Sequence, residues 1–157
     1  MQKAWQEVLD RFRYGIYLVS IRIEDTDNAM IASWVAQCSH EPPLVSVAIR
    51  NNRLSCGQIK QAGAFCVSVL PRESLGLLKQ FKIPDWQRKF DGLACRRSPH
   101  GALVPADVLG CLDCNLEQAI ATGDHTLFIG RVVAGEFLND AEVLNTADYG
   151  GCYRGER

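Results

Sequence analysis

Two long runs of β-forming residues, Val108 to Thr122 and Thr126 to Phe137, are joined at Gly123-Asp124, a dipeptide suited to a tight antiparallel connection. That hairpin constrains the fold more than any other feature of the chain. Earlier in the sequence, Ile16 to Ile23 is rich in β-branched and aromatic residues, and Glu24-Asp-Thr-Asp-Asn28 supplies turn chemistry before a second such run, Ala29 to Ala36. A first hairpin is therefore expected there as well. Strands outnumber helices and adjoin as antiparallel neighbours, without the strand-helix alternation of a doubly wound sheet. The expected class is mainly β, a closed or nearly closed antiparallel β-barrel of Greek-key type with peripheral α-helices.

The remaining elements fit around that frame. Trp5, Val8, Leu9 and Phe12 recur at helical spacing, so residues 3–12 are expected to form an amphipathic helix with its apolar stripe packed on the body. Pro42-Pro43 cannot sit within a sheet ladder, so a third strand begins at Leu44 and runs to Arg50. Ser55 as N-cap, Gln58 three residues on and Gly63 as a left-handed stop predict a short helix over about 56–62. Phe65, Val67 and Val69 alternate as a fourth strand, and Glu73 to Phe81 carries Leu77, Leu78 and Phe81 at helical offsets. The segment 84–100 is charged and broken by Pro and Gly, and reads as loop apart from a short strand near Leu93 to Arg96. Nothing splits the chain, so residues 1–157 are expected to form one domain.

Seventeen basic and eighteen acidic side chains nearly cancel, to a net charge of -1, which leaves no whole-molecule field for nucleic acid or an anionic membrane. The polar first fourteen residues do not read as a secretory leader, and no apolar run is long enough to span a bilayer, so a cytoplasmic location is expected. Seven cysteines at irregular spacing read as reduced thiols. Cys111 and Cys114 have the separation of a metal knuckle, but no second pair follows, and strand alternation puts them on opposite faces; no metal is expected.

Three segments concentrate unusual residues. In Ala32-Ser33-Trp34-Val35-Ala36-Gln37-Cys38-Ser39, small and polar side chains interrupt a strand; this suits a flat ring resting on the backbone, or simply a polar strand face. Arg50-Asn51-Asn52-Arg53-Leu54-Ser55 ends at a helix start, which is either an anion site of free amides, a hydroxyl and two guanidinium groups, or a capped helix with solvated arginines. Gly123-Asp124-His125-Thr126 puts an imidazole beside a carboxylate on a loop, either contacting a ligand or idle. No Gly-rich nucleotide loop and no nucleophile elbow is present.

These motifs, in this order, resemble the flavin reductase-like family of FMN-binding split barrels. The resemblance runs from about Tyr14 to the C-terminus and is carried by Ala32 to Val35 with Gln37 and Ser39, Glu41 to Ile49, Ser55 with Ile59, Gly63 to Leu70, Gly123 to Val132, and Gly151-Cys152-Tyr153. It implies a homodimer with a flavin in a groove near the subunit interface. Ile31, Ala32, Ser33 and Trp34 would line the isoalloxazine, Gln37 and Ser39 would approach the ring or ribityl chain, and Ala48, Ile49 and Arg50 would continue the wall. Arg53 and Ser55 would hold the phosphate, although Cys56 and Gly57 depart from the usual pattern there and imply fewer or shifted phosphate contacts. His125 aligns with a histidine near the nicotinamide site of relatives that use NADH or NADPH. FMN is expected ahead of FAD because the phosphate site reads as terminal, though related barrels admit both. The implied function is NAD(P)H:flavin reduction with onward transfer to an acceptor. The alternatives are an FMN electron carrier reduced by an iron-containing redox partner protein, and a barrel that binds a different ligand.

Overall fold

The computed structural model describes residues 3–149. Its frame is a seven-stranded antiparallel sheet built from β1 (Tyr17–Ile23), β2 (Thr26–Ala32), β3 (Val35–Ser39), β4 (Leu44–Arg50), β5 (Ala64–Val69), β8 (Gly110–Ala121) and β9 (His125–Phe137). The spatial order is β2-β1-β5-β8-β9-β4-β3. Helix α1 (Ala4–Leu9) precedes the sheet, and α2 (Leu54–Ala62) links β4 to β5. A 3-10 segment (Arg72–Lys82) and a small two-stranded sheet, β6 (Cys95–Arg97) with β7 (Leu103–Pro105), fill the long β5–β8 connection.

The 108–137 hairpin forms as expected, and β4 alternates buried and half-buried residues from Leu44 to Arg50. The first hairpin is tighter than its turn residues suggest. Only Glu24 and Asp25 lie between Ile23 and Thr26, with Glu24 in the left-handed region at φ 54°. Asp27 and Asn28 are drawn into β2 because tertiary partners satisfy them. Arg97 and Arg22 pair with the Asp27 carboxylate, while the Asn28 amide donates to Gln58 Oε1 at 2.5 Å. The expected single strand over 29–36 is instead broken, with Ser33 and Trp34 outside either ladder.

The start of α2 also differs from expectation. Arg53, in extended conformation, occupies the N-cap with no side-chain capping bond, and Ser55 is buried inside the first turn. Gln58 cannot close a capping box because its side chain is committed to Asn28. Gly63 does end the helix, at φ 67°, where a side chain would be strained.

Two hydrophobic cores lie on opposite faces of the sheet. One gathers Leu18, Cys66, Leu70, Cys111 and Leu144, and the other gathers Val19, Ile49, Phe65, Val67, Cys114 and Phe128. Neighbours such as Leu18 and Val19 feed different cores because successive side chains on a strand point to opposite faces. Cys111 and Cys114 are separated in the same way. The second core holds Ala32 from β2 together with Val47 and Ile49 from β4, strands near opposite margins of the sheet. The sheet is therefore rolled until its margins share a core, yet β2 and β3 do not pair, and the barrel is open rather than closed. Gly130 permits the tight interior: a Cβ there would lie 2.5 Å from Phe65 Cζ and 2.8 Å from Cys114 Cβ.

The N-terminal helix is shorter than the periodicity predicts, and its apolar stripe is not packed on the body. Trp5 is 56% and Phe12 52% exposed, and Val8 and Leu9 are exposed with them.

Candidate functional site

The opening between the sheet margins is a cleft of about 720 Å³. One wall is Met30, Ile31 and Ala32 of β2, the opposite wall is Ala48, Ile49 and Arg50 of β4, and Ser33-Trp34 crosses between them. Because β2 and β3 occupy the two edges of the sheet, this dipeptide is the chain's own bridge over the gap. The bridge is pinned where Ala48 N–H donates to the Trp34 carbonyl at 3.0 Å. Gln6, Leu9, Asp10, Phe12 and Tyr14 form the rim.

Asp124 and His125 enter from the β8–β9 turn. Asn51 ties that turn to the chain after β4: its N–H donates to the Asp124 carbonyl at 2.9 Å, and its Oδ1 accepts from Thr126 Oγ1 at 2.7 Å. The His125 ring lies against the Trp34 indole, centroids 4.7 Å apart, and Tyr14 follows at 6.4 Å from Trp34. His125 Nδ1 meets Asp124 Oδ1 at 2.6 Å, a hydrogen bond that holds the Asp124 carboxyl below its ordinary range. The ring thus has one nitrogen committed to the carboxylate, which fixes its orientation and leaves Nε2 for a ligand.

A second cavity of about 260 Å³ adjoins the cleft, sharing Met30, Ile31 and Arg53 as walls. Ser55, Lys82, Trp86 and Lys89 also line it, and among the described residues no acidic side chain does. Lys89 Nζ donates to the Ala29 carbonyl at 2.7 Å. Its pKa is pushed down, first by burial and then by the positive charge of Arg53. Cationic groups facing one another at an uncapped helix start are the donor set an anion requires.

Of the residues singled out in the sequence, Ile31, Ala32, Ser33, Trp34, Ala48, Ile49, Arg50, Arg53 and His125 converge on the cleft, and Ser55 on the adjoining cavity. Gln37 and Ser39 line neither. They lie on the edge strand β3, where Gln37 Nε2 donates to the Ser39 carbonyl at 3.3 Å and meets His40 Nδ1 at 3.2 Å. Lys89 carries no mark in the sequence, because it sits in the irregular stretch after Pro84, where no periodicity shows which residue faces inward. The Gly151-Cys152-Tyr153 motif lies outside the described residues. Among the described residues no group of three His, Cys, Asp or Glu is placed to hold a metal ion, and no helix is long and apolar enough to cross a membrane.

Residues 9–155 match the family described as "Flavin reductase like domain". The chain belongs to the flavin reductase-like family. It is similar to a ferric-chelate reductase (NAD(P)H) from Archaeoglobus fulgidus, 32% identical over 148 residues, spanning 91% of this chain and 87% of the relative. A flavin reductase from Pseudomonas putida is 31% identical over 150 residues, 94% of this chain and 88% of the relative. Among solved structures, nitrilotriacetate monooxygenase component B from Mycobacterium thermoresistibile superposes with a TM-score of 0.82 at 26% identity, covering 97% of this chain and 82% of that one. Membership makes the chain a flavin-dependent reductase of the split-barrel fold. The residues present fit a flavin: small side chains on two facing strands, backbone between them, and a group of cations at one end.

Proposed function

We propose that this flavin reductase-like chain is an NAD(P)H-dependent reductase that holds the FMN portion of its flavin across the opening of the barrel. The observation that carries the reading is the continuity of the cleft between β2 and β4 with the cationic cavity at Arg53. The ring system would rest on Ile31, Ala32, Ser33 and Trp34 against Ala48 and Ile49, and the phosphate on Arg53, Ser55 and Lys89. When bound, the flavin supplies the redox chemistry, and the chain supplies binding, orientation and electrostatic tuning. His125, oriented by Asp124 and stacked on Trp34, stands where a nicotinamide would approach from the open side. Arg50, beside it in register across β4 and β9, adds positive charge at the same mouth.

A homodimer belongs to the proposal. Trp5, Val8 and Phe12 are exposed apolar groups on the chain segment that forms the rim of the cleft, and a second copy would cover them close to the flavin. The deciding experiment is anaerobic. The purified chain is loaded with FMN or FAD, its visible spectrum is recorded, and NADH or NADPH is added. Loss of the yellow absorbance with either nucleotide is expected. A spectrum unchanged by both, with reduction by an iron-sulfur or rubredoxin-type protein instead, would replace the enzyme with an electron carrier.

A further inference from the structure

The pairing of β4 with β9 ends at Arg50 and His125, and the turn beyond it, Gly123-Asp124, is exposed. An exposed tip of two residues does not by itself hold a neighbouring side chain to one orientation. Asn51, the first residue after β4, ties this tip down at three points. Its N–H donates to the Asp124 carbonyl at 2.9 Å, its Nδ2 donates to the Gly123 carbonyl at 3.5 Å, and its Oδ1 accepts from Thr126 Oγ1 at 2.7 Å. The bonded residues lie on both sides of His125 in the chain. Asn51 itself lines neither cavity.

From this arrangement we infer that Asn51 is a positioning residue for the nicotinamide: its side chain holds the β8–β9 turn so that His125 stays against Trp34 at the mouth of the cleft. The inference rests on the reading of His125 as facing the nicotinamide, and deepens it. A carboxamide presents an acceptor and a donor at once, so one side chain serves Thr126 after the histidine and Gly123 before it. The Thr126 bond is the shorter of the two, and Thr126 is buried, so losing the acceptor leaves its hydroxyl without this partner where water does not readily replace it. The other bonds of the turn do not anchor it in this way. Thr122 closes the turn on itself, its N–H and Oγ1 both donating to the His125 carbonyl. The Asp124 carboxylate is exposed and travels with the turn, so it orients the imidazole only relative to that turn. Asn51 instead follows directly on Ala48, Ile49 and Arg50, a wall of the cleft, and so keeps the histidine in register with the surface on which the ring system would rest. Without that side chain, His125 would be in place in only a fraction of the molecules. Apparent affinity falls by that fraction, whereas a saturating ligand draws every molecule into the competent arrangement. The nucleotide concentration needed for half-maximal rate therefore rises, and the limiting rate and the flavin affinity are spared.

The test is anaerobic stopped-flow bleaching of the whole FMN-loaded chain over a range of NADH or NADPH concentrations. It compares the native chain with Asn51→Ala, Thr126→Val, His125→Ala, and Asn51→Ala combined with His125→Ala. In Asn51→Ala and in Thr126→Val the half-saturating concentration is expected to rise about fivefold, the worth of one hydrogen bond, with the limiting rate and FMN affinity within about twofold. In the His125→Ala background, Asn51→Ala should add nothing, because a residue that acts through another has no separate effect once that other is gone. A full fivefold rise in that background would overturn the assignment. So would a parallel loss of FMN affinity, which would put Asn51 on the flavin instead. Thr126→Val removes the same bond from the other partner and keeps the test open if thermal melting shows that Asn51→Ala fails to fold. The imidazole proton resonances give a readout that needs no nucleotide. The chain has three histidines, and the signal lost in His125→Ala should lie upfield under the Trp34 ring current and move back toward the other two in Asn51→Ala. A signal unmoved by Asn51→Ala would overturn the positioning role. A native chain bleached by neither NADH nor NADPH would bring down the nicotinamide reading itself, and the resonance would still decide whether Asn51 holds the turn.

Discussion

Arg53 takes part in both cavities, and its extended backbone opens α2 without a side-chain cap, so it and Ser55 of the first helical turn line the smaller one together. Arg53→Ala should weaken FMN by about 1.5–3 kcal/mol, the usual worth of a charge-assisted bond, while leaving riboflavin, which has no phosphate, nearly unaffected. Equal losses for both in a fluorescence titration would move the phosphate elsewhere. Lys89 gives the same site a pH dependence with a definite sign. In the free chain, burial and Arg53 hold its pKa below the ordinary 10.5, so it begins to lose its proton before an exposed lysine would. A phosphate beside it favours the charged form and raises that pKa, so binding is coupled to proton retention. FMN affinity should therefore fall as pH rises through the window below 10.5, with riboflavin affinity flat and the slope abolished in Lys89→Met. A flat FMN profile would separate Lys89 from the phosphate.

At the scale of elements, the interior of the barrel is set by one missing side chain on β9. Gly130→Ala would push a methyl group into the Phe65 ring and Cys114, and the cost is expected to be about 1–3 kcal/mol, measured as a lower urea midpoint. An unchanged midpoint would mean that Phe65 has room to move. The elements that could be read from sequence are those whose pattern is local. The 108–137 hairpin, β4 between Pro43 and Asn51, and the Gly63 stop each carry their own alternation or turn chemistry. Where tertiary contacts decide, the pattern misleads. Asn28 looks like a turn residue but enters a strand because Gln58 satisfies it, and that same bond removes Gln58 from the expected cap. The site divides in the same way. The β2 and β4 walls and His125 lie in regular strands or at their ends, and the family resemblance marks them. Lys89 and Trp86 come from a connection whose inward face is chosen by packing against β2, for which no periodic signal exists.

For the whole molecule, the unpacked stripe of α1 is the feature a single chain leaves unresolved. Trp5, Val8 and Phe12 form the kind of exposed apolar patch that marks an interaction surface. Light scattering of the purified protein is expected to give twice the chain mass. Trp5→Glu with Val8→Glu should shift it to a monomer and weaken flavin binding, because the rim of the cleft lies on the same segment. A wild-type monomer would remove the dimer from the proposal. The open margin of the rolled sheet has a last consequence. Along that edge, among the described residues, a two-residue crossing joins strands that no ladder unites, so a rigid guest wedged there would act as the absent rungs. Saturating it at a hundred times its dissociation constant adds about 2.7 kcal/mol to the folded state. Deuterium uptake should slow first in the amides of residues 31–36 and 48–50, turning a slit in the cylinder into its clasp.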